Sequence, residues 1–148
     1  MKLVIQRVIH ARLTVDGVLK GAIDRGMVVF VGFGKNDHES LIEPAVRKVL
    51  KLRIFADVHD KMNLSLLDIS GGLMVVSQFT LYARTEGGNR PDFLEAMNPS
   101  EAETLFNRFV ETCMKFYPGK IVGGDFGSQM LVEIHNDGPV TIVINWEK

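Results

Sequence analysis

The stretch Met27 to Phe33 carries no polar side chain and is followed at once by Gly34. It is too short for an ordinary amphipathic helix, and both of its alternating faces are apolar. A strand of that kind is stable only when each face of the sheet is covered. The chain must therefore supply a layer on either side of this segment.

The flanking sequence supplies candidates for both layers. Leu3 to Ile9 alternates loosely as a strand, and Leu13 to Ile23 holds Asp16-Gly17 between Val15 and Val18. Asp-Gly in that setting predicts a two-residue hairpin, because both central positions need positive φ. Further strands are expected over Arg53–Ala56, Leu73–Tyr82, Ile121–Phe126, Met130–His135 and Val140–Trp146, the last two separated by the turn Asn136-Asp137-Gly138-Pro139. Turns are expected at His59–Asn63, and a loop at Arg84–Pro91 around Gly87 and Gly88.

Two helices complete the pattern. Ile42, Ala45, Val46, Val49 and Leu50 form one stripe at helical spacing. Pro44 is tolerated only in a first turn, which puts the start near Ser40. Asn98-Pro99-Ser100-Glu101 reads as N-cap, N1 proline and a supporting acid at N3. Its helix presents Ala102, Leu105, Phe106, Phe109, Val110 and Cys113 on one side, and Tyr117-Pro118-Gly119 stops it. The expectation is one α+β domain over residues 1–148, with mostly antiparallel strands and two amphipathic helices.

At 148 residues, such a domain buries roughly 68–70% of the surface of its unfolded chain. The formal charge of −1 gives no general pull on a polyanion, so an RNA partner would have to be met by local cations. The single cysteine, Cys113, excludes an intrachain disulfide and reads as a small buried hydrophobe. No segment is apolar enough for a membrane span, and Met1 to Val15 is too interrupted for a signal peptide, which predicts a cytoplasmic protein. His10, His38, His59 and His135 are scattered, and neither a metal nor a cofactor is expected.

Two segments hold polar residues where a sheet protein should be plain. In Val75-Val76-Ser77-Gln78-Phe79-Thr80-Leu81, a strand buried on both faces would have to satisfy three polar side chains. Either the strand ends at the sheet margin, or these side chains and nearby N–H groups line a pocket. Asn136-Asp137-Gly138-Pro139-Val140-Thr141 reads locally as a hairpin turn, and the isomer of the Gly138-Pro139 bond is open.

At these segments the sequence resembles the D-aminoacyl-tRNA deacylases, once called D-tyrosyl-tRNA deacylases. The paired signatures S-Q-F-T-L and N-x-G-P-x-T stand unaltered as Ser77 to Leu81 and Asn136 to Thr141. Gln6-Arg7-Val8, Thr14-Val15-Asp16-Gly17, Arg53-Ile54-Phe55, Lys61-Met62-Asn63 and Arg90-Pro91-x-Phe93 match in order and spacing. The resemblance implies a homodimer with active sites at the subunit interface, hydrolysing the ester between a D-amino acid and the 3′-terminal adenosine of tRNA. Glycyl-tRNA, mischarged on tRNA-Ala, would also be a substrate.

By the same resemblance, Gly138-Pro139 would be a cis dipeptide that one subunit inserts into the other's pocket, its carbonyls excluding an L side chain. Arg7 would help hold it, Ser77, Gln78, Phe79 and Thr80 would line the pocket, and Met130 would contact the adenosine. N–H groups near Phe79 and Thr80 would polarise the ester carbonyl. Two mechanisms stay open, hydrolysis assisted by the ribose 2′-OH and nucleophilic attack by Thr80. The loop Arg84–Arg90 has two cations beside Glu86, and Asp92 stands where relatives more often have serine, which implies weak phosphate binding there. Competing readings are a related deacylase that edits an L-aminoacyl ester, with a trans Gly-Pro and a wider pocket, and a non-catalytic nucleic-acid-binding dimer.

Overall fold

The structure, a computed structural model, describes residues 1–146. β1 (Lys2–Val15) and β2 (Val18–Ile23) form the predicted hairpin, with Asp16 and Gly17 at φ 47° and 82°. β3 (Gly26–Gly32) follows, then a 3₁₀ turn over Glu39–Leu41 and α1 (Ile42–Leu50). A small antiparallel ribbon of β4 (Phe55–Ala56) and β5 (Met62–Leu64) leads to α2 (Leu66–Ile69), whose start is closed by a reciprocal Ser65–Asp68 capping box. Next come β6 (Gly72–Ser77), a 3₁₀ turn over Phe79–Tyr82, α3 (Pro99–Phe116), β7 (Ile121–Gly123) and β8 (Met130–Asn145).

The main sheet runs β2-β1-β3-β6-β7, with β8 antiparallel along β1. All pairings of β1 are antiparallel, whereas β3–β6 and β6–β7 are parallel. Parallel neighbours need a long crossover. The segments containing α1 and α3 provide one each.

β3 sits at the centre, and Met27, Val28 and Val29 are fully buried. Met27, Val29 and Val31 join Leu73 and Val75 against Ala45, Val49, Phe106 and Phe109 of α1 and α3. Val28, Met74 and Val76 face the other way, into a second core with Val8, Leu13, Ile23 and Val122. The apolar run is thus covered twice, as its composition requires. β1 serves both cores, Leu3 and Ile5 in the first and Ala11 and Leu13 in the second. Its pairing with β8 shifts register either side of Val8, and such bulges let one strand change the face it buries.

The expected turn at Asn136–Pro139 is not a hairpin. The two strands predicted around it are one strand, β8, and the turn residues form the irregularity opposite Arg7, between the Gln6–Thr141 and Val8–Asn136 pairs. The strand expected over Leu73–Tyr82 ends at Ser77, and those over Arg53–Ala56 and Ile121–Phe126 shrink to Phe55–Ala56 and Ile121–Gly123. α3 starts as predicted, with the Asn98 side chain accepting from Ser100 N–H at 3.0 Å and Pro99 as its first residue.

Candidate active site

β6 delivers Ser77 to the margin of the sheet. The Gln78 N–H still donates to Val31 O at 2.8 Å, the last bond tying this chain to β3. The backbone then turns into the short 3₁₀ helix, so Phe79 and Thr80 emerge exposed while Ser77 and Gln78 stay half-buried. Inside a 3₁₀ turn the first N–H groups have no acceptor. Those of Phe79 and Thr80 are therefore available at the strand end. Gln78 Nε2 donates to Thr80 Oγ1 at 2.5 Å, so the threonine hydroxyl is held as an acceptor. Among the described residues no histidine is a hydrogen-bond partner of this hydroxyl.

Two cavities open on either side of this strand end. One, of about 270 Å³, is lined by Val31, Phe33, Ser77, Met97, Ala102 and Phe126 among others. The second, of about 280 Å³, is lined by Val76, Ser128, Met130 and Val132. Ser77, Gln78, Phe79 and Gly127 border both, so Phe79 stands as a partition between them. Met130 begins β8 and packs on Gly124, where an added Cβ would lie 2.7 Å from its sulfur. Of the predicted residues, the fold gathers Ser77, Gln78, Phe79 and Met130, with Thr80 tethered beside them. A larger hollow, about 860 Å³, lies between α1 and α3 and is lined by none of the motif residues.

The second motif is elsewhere in the chain. Gly138 and Pro139 are exposed, their peptide bond is cis, and Gly138 has φ 116°. Asn136 Nδ2 donates to both Arg7 O and Val140 O at 3.0 Å, clasping the irregularity to β1. Arg7 lies beneath it. Arg7 Nη1 donates to Ile54 O at 2.7 Å, and Nε is 3.0 Å from Asp137 Oδ2 in an ion pair that lacks hydrogen-bond alignment. A Cβ at Gly138 would come within 2.9 Å of Arg7 Nη2 and of Val140 Cγ2, so both φ and space reserve the position for glycine.

The register fixes how far apart the two motifs are. Gln6 pairs with Thr141 and with Val28, and Val28 with Met74, so β8 lies three strand spacings from β6. That is roughly 14 Å sideways. The dipeptide is level with the start of β6 and Ser77 with its end, which adds roughly 13 Å along the strand. Within one chain the two motifs are therefore separated by roughly 20 Å.

Other chemistry-bearing groups do not converge. Cys113 is buried, and burial pushes its thiol up to about 12, so it stays protonated. The His10 and His135 rings meet edge-on at 5.7 Å. Among the described residues no cluster of His, Cys, Asp or Glu is placed to hold a metal. The sequence reading missed Met97 and Phe126 as cavity walls and Asn136 and Asp137 as supports. Phe126 had a signal, a lone aromatic between Gly124 and Gly127 in a stretch too glycine-rich for a strand.

Fold and site define the class: an α+β domain that carries its polar site at the end of a central strand. A solved structure described as c-Myc DNA Unwinding Element Binding Protein has this architecture, with TM-score 0.93, 43% identity and full coverage of both chains. A second, described as a "probable eukaryotic D-amino acid tRNA deacylase", shares the fold at TM-score 0.86 and 16% identity, covering 97% of each chain. The D-aminoacyl-tRNA deacylase of Thermosipho melanesiensis is 47% identical over 148 residues, which cover 100% of this chain and 99% of that protein. The chain belongs to the family described as D-Tyr-tRNA(Tyr) deacylase, whose sequence model matches residues 4–145.

Proposed function

We propose that this protein is a cytoplasmic homodimer that hydrolyses the ester between a D-amino acid and the terminal adenosine of tRNA, glycyl-tRNA mischarged on tRNA-Ala included. The observation that carries the reading is the strand end, where two N–H groups and the Ser77-Gln78-Phe79-Thr80 side chains stand between two cavities of substrate-fragment size. An aminoacyl ester is already activated. Orientation and charge stabilisation are then sufficient for hydrolysis without a strong protein base. Water adds to the carbonyl carbon, the N–H groups of Phe79 and Thr80 hold the oxyanion, and the bond to the ribose oxygen breaks as that oxygen takes a proton. The ribose 2′-OH assists the water, because the group beside Thr80 Oγ1 is the Gln78 amide rather than a histidine that would take its proton.

The adenosine takes the cavity beside Met130, and the amino acid the one beside Met97 and Ala102. Gly138-Pro139 closes the pocket of a second copy and excludes an L side chain by steric conflict. The roughly 20 Å separation inside one chain supports a site shared between two copies. Comparing D- and L-tyrosyl-tRNA as substrates tests the reading. Rapid loss of the D ester with the L ester spared is expected, and preference for the L ester would favour an L-editing deacylase. A non-catalytic nucleic-acid-binding dimer would bind aminoacyl-tRNA and turn over neither ester.

A further inference from the structure

Phe79 borders both cavities, yet the residue is 55% exposed, and the 3₁₀ turn that carries it is four residues long. Something beyond its own turn must fix the ring. One contact that does so is the Phe93 ring, edge-on at 5.0 Å between centroids with planes at 64°. That is the geometry aromatic quadrupoles favour. Phe93 itself lines neither cavity.

The backbone under Phe93 is anchored from both sides. Before it, Arg84 and Asp92 exchange two hydrogen bonds, N–H to O at 2.9 and 3.0 Å, which close the neck of the 84–92 loop. Asp92 Oδ1 accepts from Leu94 N–H at 3.1 Å, and Phe93 O accepts from Ala96 N–H at 3.0 Å, so the residue sits inside a doubly bonded turn. After it, Lys35 N–H donates to Glu95 O and Met97 N–H to Phe33 O, tying the segment to the end of β3. β3 is the strand that Gln78 N–H also grips. Phe79 and Phe93 are thus held by the same rigid edge through two independent routes.

We propose that Phe93 is a positioning residue: its ring edge fixes the Phe79 ring, and with it the wall between the two cavities that holds the ester carbonyl against the amide donors at the strand end. This rests on the deacylase reading above. If the ring of Phe93 were removed, Phe79 would rotate over an open side, and the ester carbonyl would lose its alignment with the donors in the transition state, while the remaining walls of both cavities would still bind the ground state. The expected signature is a fall in kcat with little change in KM.

The test is single-turnover and steady-state deacylation of D-tyrosyl-tRNA by wild type, Phe93→Ala, Phe93→Leu and Phe93→Tyr. Misplacement on the ångström scale lowers the rate by roughly 10- to 100-fold, so Phe93→Ala is expected in that range with KM held within about twofold. Phe93→Leu keeps apolar volume and so protects folding, but lacks the ring and should remain slow; Phe93→Tyr should restore most of the rate. Equal rates for Ala and wild type, or equal losses for Leu and Tyr, overturn the inference. A wild-type protein without D-ester hydrolysis would instead overturn the reading on which it rests.

Discussion

Thr80 is the side chain that a motif-based account would make the nucleophile, and its surroundings argue otherwise. Its hydroxyl accepts a 2.5 Å hydrogen bond from Gln78 Nε2, which draws electron density from the oxygen that would attack. Thr80→Ala is therefore expected to keep its single-turnover rate on D-tyrosyl-tRNA to within about tenfold, whereas loss of an oxyanion donor costs roughly 100- to 1,000-fold. A collapse of the rate to background would return Thr80 to the chemistry. At this scale the sequence was informative. Ser77, Gln78 and Thr80 stood out as polar residues in an apolar setting, and Cys113 as a buried thiol. Arg7 was placed at the dipeptide only through the family resemblance, because its partners Ile54 O and Asp137 are remote in sequence.

At the scale of elements, local signals succeeded where local bonds decide the structure. The Asn98 cap is such a case. Asn98→Ala should lower stability by about 1 kcal/mol, read as a shifted urea midpoint at unchanged slope; no shift would mean that tertiary packing alone sets the start of α3. Local signals failed where long-range pairing decides. Asn136-Asp137-Gly138-Pro139 has the composition of a turn, but β8 stays paired with β1 on both sides of it, and Asn136 bonds Arg7 O and Val140 O. Phe79 to Tyr82 favours a strand by residue type. No neighbour past Val31 accepts its continuation, and the chain turns into a 3₁₀ helix. The motif sits at both irregularities, which is where regular patterning was bound to fail.

For the whole molecule, the fold class was readable because a doubly covered strand leaves few architectures. The parallel pairs β3–β6 and β6–β7 were not, since strand order is a property of crossovers rather than of any segment. The electrostatics offer no general attraction for a polyanion. Net charge is −1, and Arg84 of the 84–92 loop lies 4.0 Å from Glu86 and 3.8 Å from Glu95. The central claim is that one site needs two copies, one supplying Gly138-Pro139 and the other the Ser77–Thr80 strand end. It is tested most directly by co-expressing Gly138→Val, whose added side chain on the inserted dipeptide would obstruct the partner's pocket, with Ser77→Phe, which would fill the cavity, each expected to be inactive alone. The co-expressed population should recover about a quarter of wild-type D-tyrosyl-tRNA hydrolysis, since about half the dimers are mixed and each of these has one intact site of two. Mixed dimers that form and stay inactive would contradict a shared site.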